Sequence, residues 1–286
     1  MNYYVPTAGH PGQTELTTKD SGRAVFTDAY AVLPRGTMRD IVINRLPFWE
    51  GTRFWTIARP LTGFAETFSQ YIAEVAPGGG SDHPETDPEA EAVLFVVGGA
   101  PTLTLTTSGS SDPSRSSEVE THDLRPGSYV FLPPRAQWTL HNPAQDENAV
   151  FHWIRKRHQA VEGLETPEAF VTHEDDHPPT EMPGTDGAWG TQRFVDPDDV
   201  RHDMHVNIVN FGPGGAIPFP ETHVMEHGLY VLEGKAVYLL NKDWVEVEAG
   251  DFMWLRAFCP QACYAGGPGR FRYLLYKDMH RHPRFL

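Results

Sequence analysis

Glu221, His223 and His227 fall within one short run, Glu221-Thr222-His223-Val224-Met225-Glu226-His227-Gly228, and Gln261 follows further along the chain. Residues two apart on a β-strand point to the same face, so Glu221 and His223 are expected side by side. His227, four residues later, is close enough to return beside them from the next strand. A carboxylate and two imidazoles that meet inside a small β-barrel make a divalent-metal site. Glu226 is expected to face away from His227, at the surface.

The elements that position such a site must be strands. The chain has 286 residues, 40% hydrophobic and 12% aromatic, with 25 Pro and 26 Gly that punctuate it at short intervals. That pattern suits many short strands rather than long helices, and the length suits one large or two ordinary domains. The formal net charge of -15 argues against nucleic acid or an anionic membrane surface as partner. It leaves open a small anionic substrate drawn in by a metal or a local basic side chain. No apolar stretch approaches a membrane span, and the start lacks the basic and apolar regions of a signal peptide. Cys259 and Cys263 are too few for a disulfide framework. Together these point to reduced thiols and a cytoplasmic location.

The order of elements appears twice. Thr67–Val75, then Ala76-Pro77-Gly78-Gly79, then Val93–Gly98, Thr102–Thr106, Arg125–Leu132 and Val150–Ile154 find counterparts in the second half. These are Val206–Phe211, Gly212-Pro213-Gly214-Gly215, Leu229–Gly234, Ala236–Leu240, Glu248–Leu255 and Phe271–Tyr276. A repeated all-β unit predicts two tandem barrels: an N-terminal barrel over residues 1–158, a solvated connection over 159–192, and a C-terminal barrel over 193–286. The connection includes His173-Glu174-Asp175-Asp176-His177. The Ser-rich residues 107–118 read as an exposed hairpin tip. In the first half Glu85, Asp87 and Glu91 lie near the equivalent place, with Gly98 seven after Glu91, and Trp138 falls where Gln261 falls in the second half. No imidazole is in register there, so that barrel is expected to be free of metal.

The second half resembles the cupins, whose first motif is Gly, then His-x-His, Glu and Gly, and whose second ends in His. Gly215 leads, Glu221-x-His223 stands for His-x-His, His227 for Glu, and Gly234 follows; Gly250 opens the second motif, without its Pro-x-Gly, and Gln261 stands at its last His. The resemblance implies a bicupin of two double-stranded β-helix (jelly-roll) barrels and a ligand set of Glu221, His223, His227 and Gln261. This oxygen-rich set suits Mn²⁺, with Fe²⁺, Ni²⁺ and Zn²⁺ also compatible.

Within the cupins, residues 204–280 are similar to the (S)-ureidoglycine aminohydrolases, once called glyoxylate-induced proteins. The matching residues are Glu221-Thr222-His223-Val224-x-Glu226-His227-Gly228, Tyr238, Trp244, Gly250-Asp251, Gln261-Ala262-x-Tyr264 and Tyr273-x-x-x-Lys277-Asp278. The resemblance implies Mn²⁺-dependent release of ammonia from (S)-ureidoglycine, giving (S)-ureidoglycolate, in allantoin and purine breakdown. Lys277 and Tyr273, four apart on the last strand, share one face. If that face is the interior, Lys277 neutralises the substrate carboxylate and Tyr273 donates a hydrogen bond. Tyr238 and Gln261 join them as substrate-binding residues, and Glu221 is a proton carrier as well as a ligand. Two rival readings remain at this stage: another bicupin metalloenzyme (dioxygenase or isomerase), and a non-catalytic bicupin that binds a small ligand or metal. Association into a homo-oligomer is open.

Overall fold

The structure is a computed structural model that describes residues 23–35, 43–60, 63–107 and 118–278. The Ser-rich tip falls largely outside these residues. Strands dominate, and Glu174–Asp176 form a short 3-10 turn.

Two barrels form, as the repeat predicts. The C-terminal barrel closes an eight-stranded sheet over a four-stranded one. The larger sheet runs in the order Val25–Phe26, Tyr30–Leu33, Phe252–Leu255, His227–Glu233, Phe271–Asp278, Met204–Phe211, Trp189–Gln192, Thr180–Glu181. The smaller runs Ala216–Glu221, Gln261–Tyr264, Lys235–Leu240, Asp243–Glu248. The N-terminal barrel is one wrapped ten-stranded sheet. Its long strand Ser69–Ser81 pairs with Ala149–Arg157 along most of its length and with Gln137–His141 at its end. Gly80 makes that passage possible. It has φ of 145° and lies so near the neighbouring strand that a Cβ would sit 2.2 Å from the carbonyl oxygen of Leu140.

Strand alternation sorts the core into three layers. Leu94, Val96, Phe151 and Trp153 fill the N-terminal barrel. Val209, Leu229, Val231, Tyr238 and Tyr273 line the C-terminal one. The opposite faces of the same strands, with Val93, Phe95, Ile154, Val206, Ile208, Tyr230 and Leu274, pack the barrels together. Here Phe68 stacks on Tyr276 at 3.9 Å, and only a glycine at 228 leaves room, since a Cβ there would meet the Phe68 ring at 2.5 Å.

Strand pairing crosses any single cut between the halves. Tyr30–Leu33 adds to Phe252–Leu255 of the C-terminal barrel, and Arg23 reinforces this with a 2.7 Å ion pair to buried Asp251. Phe170–His173 adds to Ser128–Leu132 of the N-terminal barrel. Residues 159–192 are therefore not a bare solvated connection. Glu174 is buried in an ion pair with buried Arg272, and Gln192 donates to the Glu174 and His177 carbonyls.

Candidate metal centre and its pocket

Glu221 ends its strand and pairs directly with Gln261, while His227 begins the next strand. His223 lies in the turn between them, so it reaches Glu221 through the loop rather than by strand alternation. The structure brings the four residues together. His223 Nε2 is 3.3 Å from Glu221 Oε1, Gln261 Nε2 donates to the same oxygen at 3.4 Å, and the two imidazole rings are 5.3 Å apart.

Below them runs a hydroxyl chain. Tyr238 donates to Gln261 Oε1 at 3.1 Å, and its hydroxyl is 3.2 Å from that of Tyr273. With the Tyr238 proton on Gln261, Tyr273 donates to Tyr238, and the chain Tyr273–Tyr238–Gln261–Glu221 is continuous. Hydroxyls both donate and accept, so the tyrosines accommodate the Gln261 amide either way, but the link to Glu221 is a hydrogen bond only with the amide nitrogen towards the carboxylate. Burial raises both tyrosine pKa values, which keeps these groups protonated donors.

Lys277 pairs across the sheet with His227 on one side and His205 on the other. Since Tyr273 faces the interior, Lys277, four residues on, faces the same way at the mouth. Burial lowers its pKa, with Arg193 adding to the effect. His227 is pushed down to about 3, by burial first and then by His223 and Lys277. It is therefore a neutral imidazole, the form that binds metal. One carboxylate, two imidazoles and one amide fit a divalent cation, and the open mouth leaves room for further ligands.

Sequence reasoning missed two residues of this face. His205 and Asn207 lie on the strand beside Lys277, both buried, and His205 Nε2 and Asn207 Oδ1 have no partner. They sit at odd positions of Met204–Phe211, the same parity as interior Val209 and Phe211, which is the signal that finds them. Glu226, expected at the surface, is instead buried. Its carboxylate accepts from Glu66 N, Thr67 N and Oγ1, and Trp254 Nε1. It faces away from the pocket, as alternation requires, but the far side is the interface with the other barrel.

Glu91 needs the same correction. In the N-terminal barrel Ala92 pairs with Arg155 as His227 pairs with Lys277, so Ala92, not Glu91, holds the His227 position. Glu91 points to the interface, where with His158 and Asp203 it places three ligand atoms within 4.8 Å of one another. Among the described residues this is the group of acidic and imidazole donors drawn that close, and the Glu221 set is more open. Proximity is not the better guide here. Lys156 Nζ lies 2.7 Å from Asp203 and His158 Nδ1 lies 3.0 Å from Glu91, so the interface cluster already holds a cation, Lys156, and its groups already have partners.

Comparison with known proteins shows the family. The cupin domain model matches residues 207–276. The (S)-ureidoglycine aminohydrolase of Arabidopsis thaliana is 33% identical over 261 residues, covering 91% of this chain and 79% of the relative. That of Escherichia coli (strain K12) is 28% identical over 242 residues, covering 84% and 86%. A crystal structure of a Pseudomonas aeruginosa protein described as glyoxylate-induced superposes with a TM-score of 0.88 at 63% identity, over 100% of this chain and 99% of that one. No helix among the described residues is long and apolar enough to cross a membrane. With a cupin domain over the strands that carry the Glu221–Gln261 cluster, and relatives that extend over both barrels, the chain belongs to the (S)-ureidoglycine aminohydrolase family.

Proposed function

We propose that this protein releases ammonia from (S)-ureidoglycine to give (S)-ureidoglycolate. The observation that carries the reading is the convergence of Glu221, His223, His227 and Gln261 above the Tyr238–Tyr273 chain, beside Lys277, in a chain of this family. The four residues hold a divalent cation, with Mn²⁺ the ion named by the reading. When bound, the cation supplies Lewis-acid polarisation and lowers the pKa of water.

The chain's own groups do the rest. Lys277, half-buried at the mouth, pairs with the substrate carboxylate and sets the molecule's orientation. Tyr273 and Tyr238 supply hydrogen-bond donors from below and fix the Gln261 amide. The reaction breaks the bond between the central carbon and its amino nitrogen and forms one from that carbon to a water oxygen. The water gives up a proton and the leaving nitrogen gains one. Glu221 is the carboxylate placed to carry it, since its partners His223 and Gln261 hold Oε1 at the mouth.

The test is ammonia release from freshly made (S)-ureidoglycine by metal-stripped protein, with and without Mn²⁺, after subtraction of spontaneous decay. Metal-dependent release, lost in Glu221→Ala and Gln261→Ala, supports the reading. Bound metal without release sends the assignment to another cupin metalloenzyme or a non-catalytic binder, and oxygen consumption separates a dioxygenase from these.

A further inference from the structure

His227 and Lys277 face the mouth of the C-terminal barrel from paired strands, so their neighbours in the chain face the opposite way, towards the N-terminal half. One tripeptide of that half, Glu66-Thr67-Phe68, meets all of them. Glu226, one residue before His227, is buried. Its carboxylate accepts from the backbone N–H groups of Glu66 at 2.8 Å and Thr67 at 2.9 Å, from the Thr67 hydroxyl at 2.5 Å and from Trp254 Nε1 at 2.6 Å. Gly228, one residue after His227, lies against the Phe68 ring, which leaves no room for a Cβ. Tyr276, one residue before Lys277, stacks on Phe68. Its hydroxyl is 2.9 Å from Thr67 Oγ1, which donates to Glu226 and so accepts from Tyr276. Asp278, one residue after Lys277, accepts from Glu226 N at 2.7 Å.

The turn that carries His223 runs from Glu221 to His227. Its first end pairs with Gln261, and the His223 carbonyl accepts from Phe258 N at 2.6 Å. Its second end is held at Glu226, through both the backbone N–H and the carboxylate. Hydrogen bonds to an ionised group are about twice as strong as neutral ones, and each of the four donors would lose its partner if the carboxylate moved. Side chains alternate along a strand, so what fixes Glu226 towards the interface also fixes the direction in which His227 leaves the chain. The N-terminal barrel supplies the contrast. Glu91 precedes Ala92 as Glu226 precedes His227, yet Glu91 Oε1 is buried with no partner. Ala92 offers no ligand atom to aim. Opposite it, Arg155 is held at its own mouth by Glu85 and by the Trp153 ring, 5.2 Å from the guanidinium.

We propose that Glu226 is a positioning residue for the metal centre, and that Glu66-Thr67-Phe68 grips it so that the N-terminal half sets the aim of His227 and Lys277. That half contributes none of the four ligands, and its part in the reaction is to hold two mouth residues from behind. The inference rests on the metal reading above and extends it from the ligands to what orients them. Changing a residue that orients a metal ligand typically costs about 10–100-fold in metal affinity. A contact that merely joined the barrels would lower stability and leave the affinity of the folded protein as it was.

Three variants of the full chain test this. Glu226→Gln keeps the size of the side chain and turns one acceptor into a donor that faces donors. Thr67→Val is the milder change: it keeps the backbone N–H and removes the hydroxyl that joins Glu226 to Tyr276. Phe194→Leu is the control, at a ring that stacks on Tyr129 in the same interface. Mn²⁺ affinity is read from the electron paramagnetic resonance signal of the free ion. Hydrogen exchange of the backbone amides of residues 222–228 and urea stability are read on the metal-stripped protein. Glu226→Gln and Thr67→Val are expected to speed exchange over residues 222–228 and to weaken Mn²⁺ about tenfold or more. Combined, they cost less than the product of the two, because they break one contact. Phe194→Leu lowers stability and leaves exchange over 222–228 and Mn²⁺ affinity as in wild type. Unchanged Mn²⁺ affinity in folded Thr67→Val and Glu226→Gln overturns the inference, and Thr67→Val alone decides it if Glu226→Gln does not fold. An equal loss of affinity in Phe194→Leu overturns it too, since affinity then follows overall stability. A wild type that binds no Mn²⁺ sinks the metal reading and this inference together, whereas unaltered variants of a wild type that binds it sink this inference alone.

Discussion

The two barrels share one strand register and differ in what they place at the mouth and just beneath it. The C-terminal barrel sets His227 opposite Lys277, while the N-terminal sets Ala92 opposite Arg155. Beneath them, Tyr238 and Tyr273 hold a hydroxyl chain where Leu103 and Phe151 are wholly apolar. The N-terminal interior is closed by Trp49, Trp138 and Trp153, whose rings lie 5.8 to 6.4 Å apart. A metal centre at such a mouth would therefore need more than a carboxylate, because both barrels place one there, Glu221 at its strand end and Glu85 in the loop after Ser81. It needs neutral imidazoles at the mouth and polar donors below. Without them the carboxylate takes an arginine as its cation and the interior fills with aromatic rings.

The largest effect should come from removing the same carboxylate on each side. Glu221→Ala is expected to reduce ammonia release about 10²–10⁴-fold, the range for loss of an acid–base group, with further loss from weakened metal binding. Glu85→Ala should leave turnover per folded molecule within twofold of wild type, by the expectation that only one mouth is catalytic. Steady-state ammonia release with metal content measured on the same samples decides it. A comparable loss from Glu85→Ala would place both mouths in the reaction.

The strand parity that sorts interior from interface was legible in the sequence, and so was the spacing from Gly215 to Glu221 and from Gly250 to Gln261. What parity cannot reveal is which surface is covered by the other barrel. Glu226 and Glu91 both sit one residue before the mouth position and both are buried, because each faces the partner barrel's incoming chain. Glu91 falls one residue out of register when Gly98 is matched to Gly234, as the sequence alone suggests. The bulge places Gly99 there, and both Gly99 and Gly234 have positive φ. The pairing of Tyr30–Leu33 with residues 252–255 was not legible at all, since no local pattern encodes a partner more than two hundred residues away.

The interface offers a second contrast. His152 and Leu274 hold equivalent places on the last strands, and both are fully buried between the barrels. Burial pushes His152 down to about 3. The unfolded chain takes up a proton near pH 6.5, while the folded one does not until about pH 3. The stability tied to the neutral ring is thus intact above pH 6.5 and is lost progressively as pH falls towards 3. At up to 1.36 kcal/mol per pH unit this reaches roughly 4 kcal/mol at the bottom of the window. His152→Leu, which copies the other barrel, should flatten denaturant stability over that window relative to wild type. An unchanged slope would assign acid sensitivity to other groups, such as His205, which burial pushes down to about 4.

A smaller effect is expected at the Glu85–Arg155 pair. Both side chains retain some exposure, 13% and 21%, so the cost of breaking the pair lies below that of a fully buried one. Glu85→Ala should destabilise by about 2–3 kcal/mol by leaving the guanidinium without its partner. Adding Arg155→Met should recover much of that loss, because the unpaired charge is gone. Urea melts of the two variants and the wild type measure it. If the double variant is as unstable as the single, the arginine contributes through packing on Trp153 rather than by neutralising Glu85.

The finest difference between the barrels is one hydroxyl. Tyr238 is fully buried, and its counterpart in the N-terminal barrel is Leu103, which pairs with Leu140 as Tyr238 pairs with Cys263. Tyr238→Phe keeps the ring and removes the link between Tyr273 and Gln261. Loss of a hydrogen bond of this kind costs about 0.5–1.5 kcal/mol, which corresponds to a fall in kcat of roughly twofold to thirteenfold. KM should change less if, as proposed, Tyr238 holds the Gln261 amide while Lys277 pairs with the substrate carboxylate. Metal affinity should weaken in step with kcat if Gln261 is a ligand that Tyr238 orients. A Tyr238→Phe enzyme with reduced kcat but unaltered metal affinity would make the hydroxyl chain a route for the proton rather than a support for the metal.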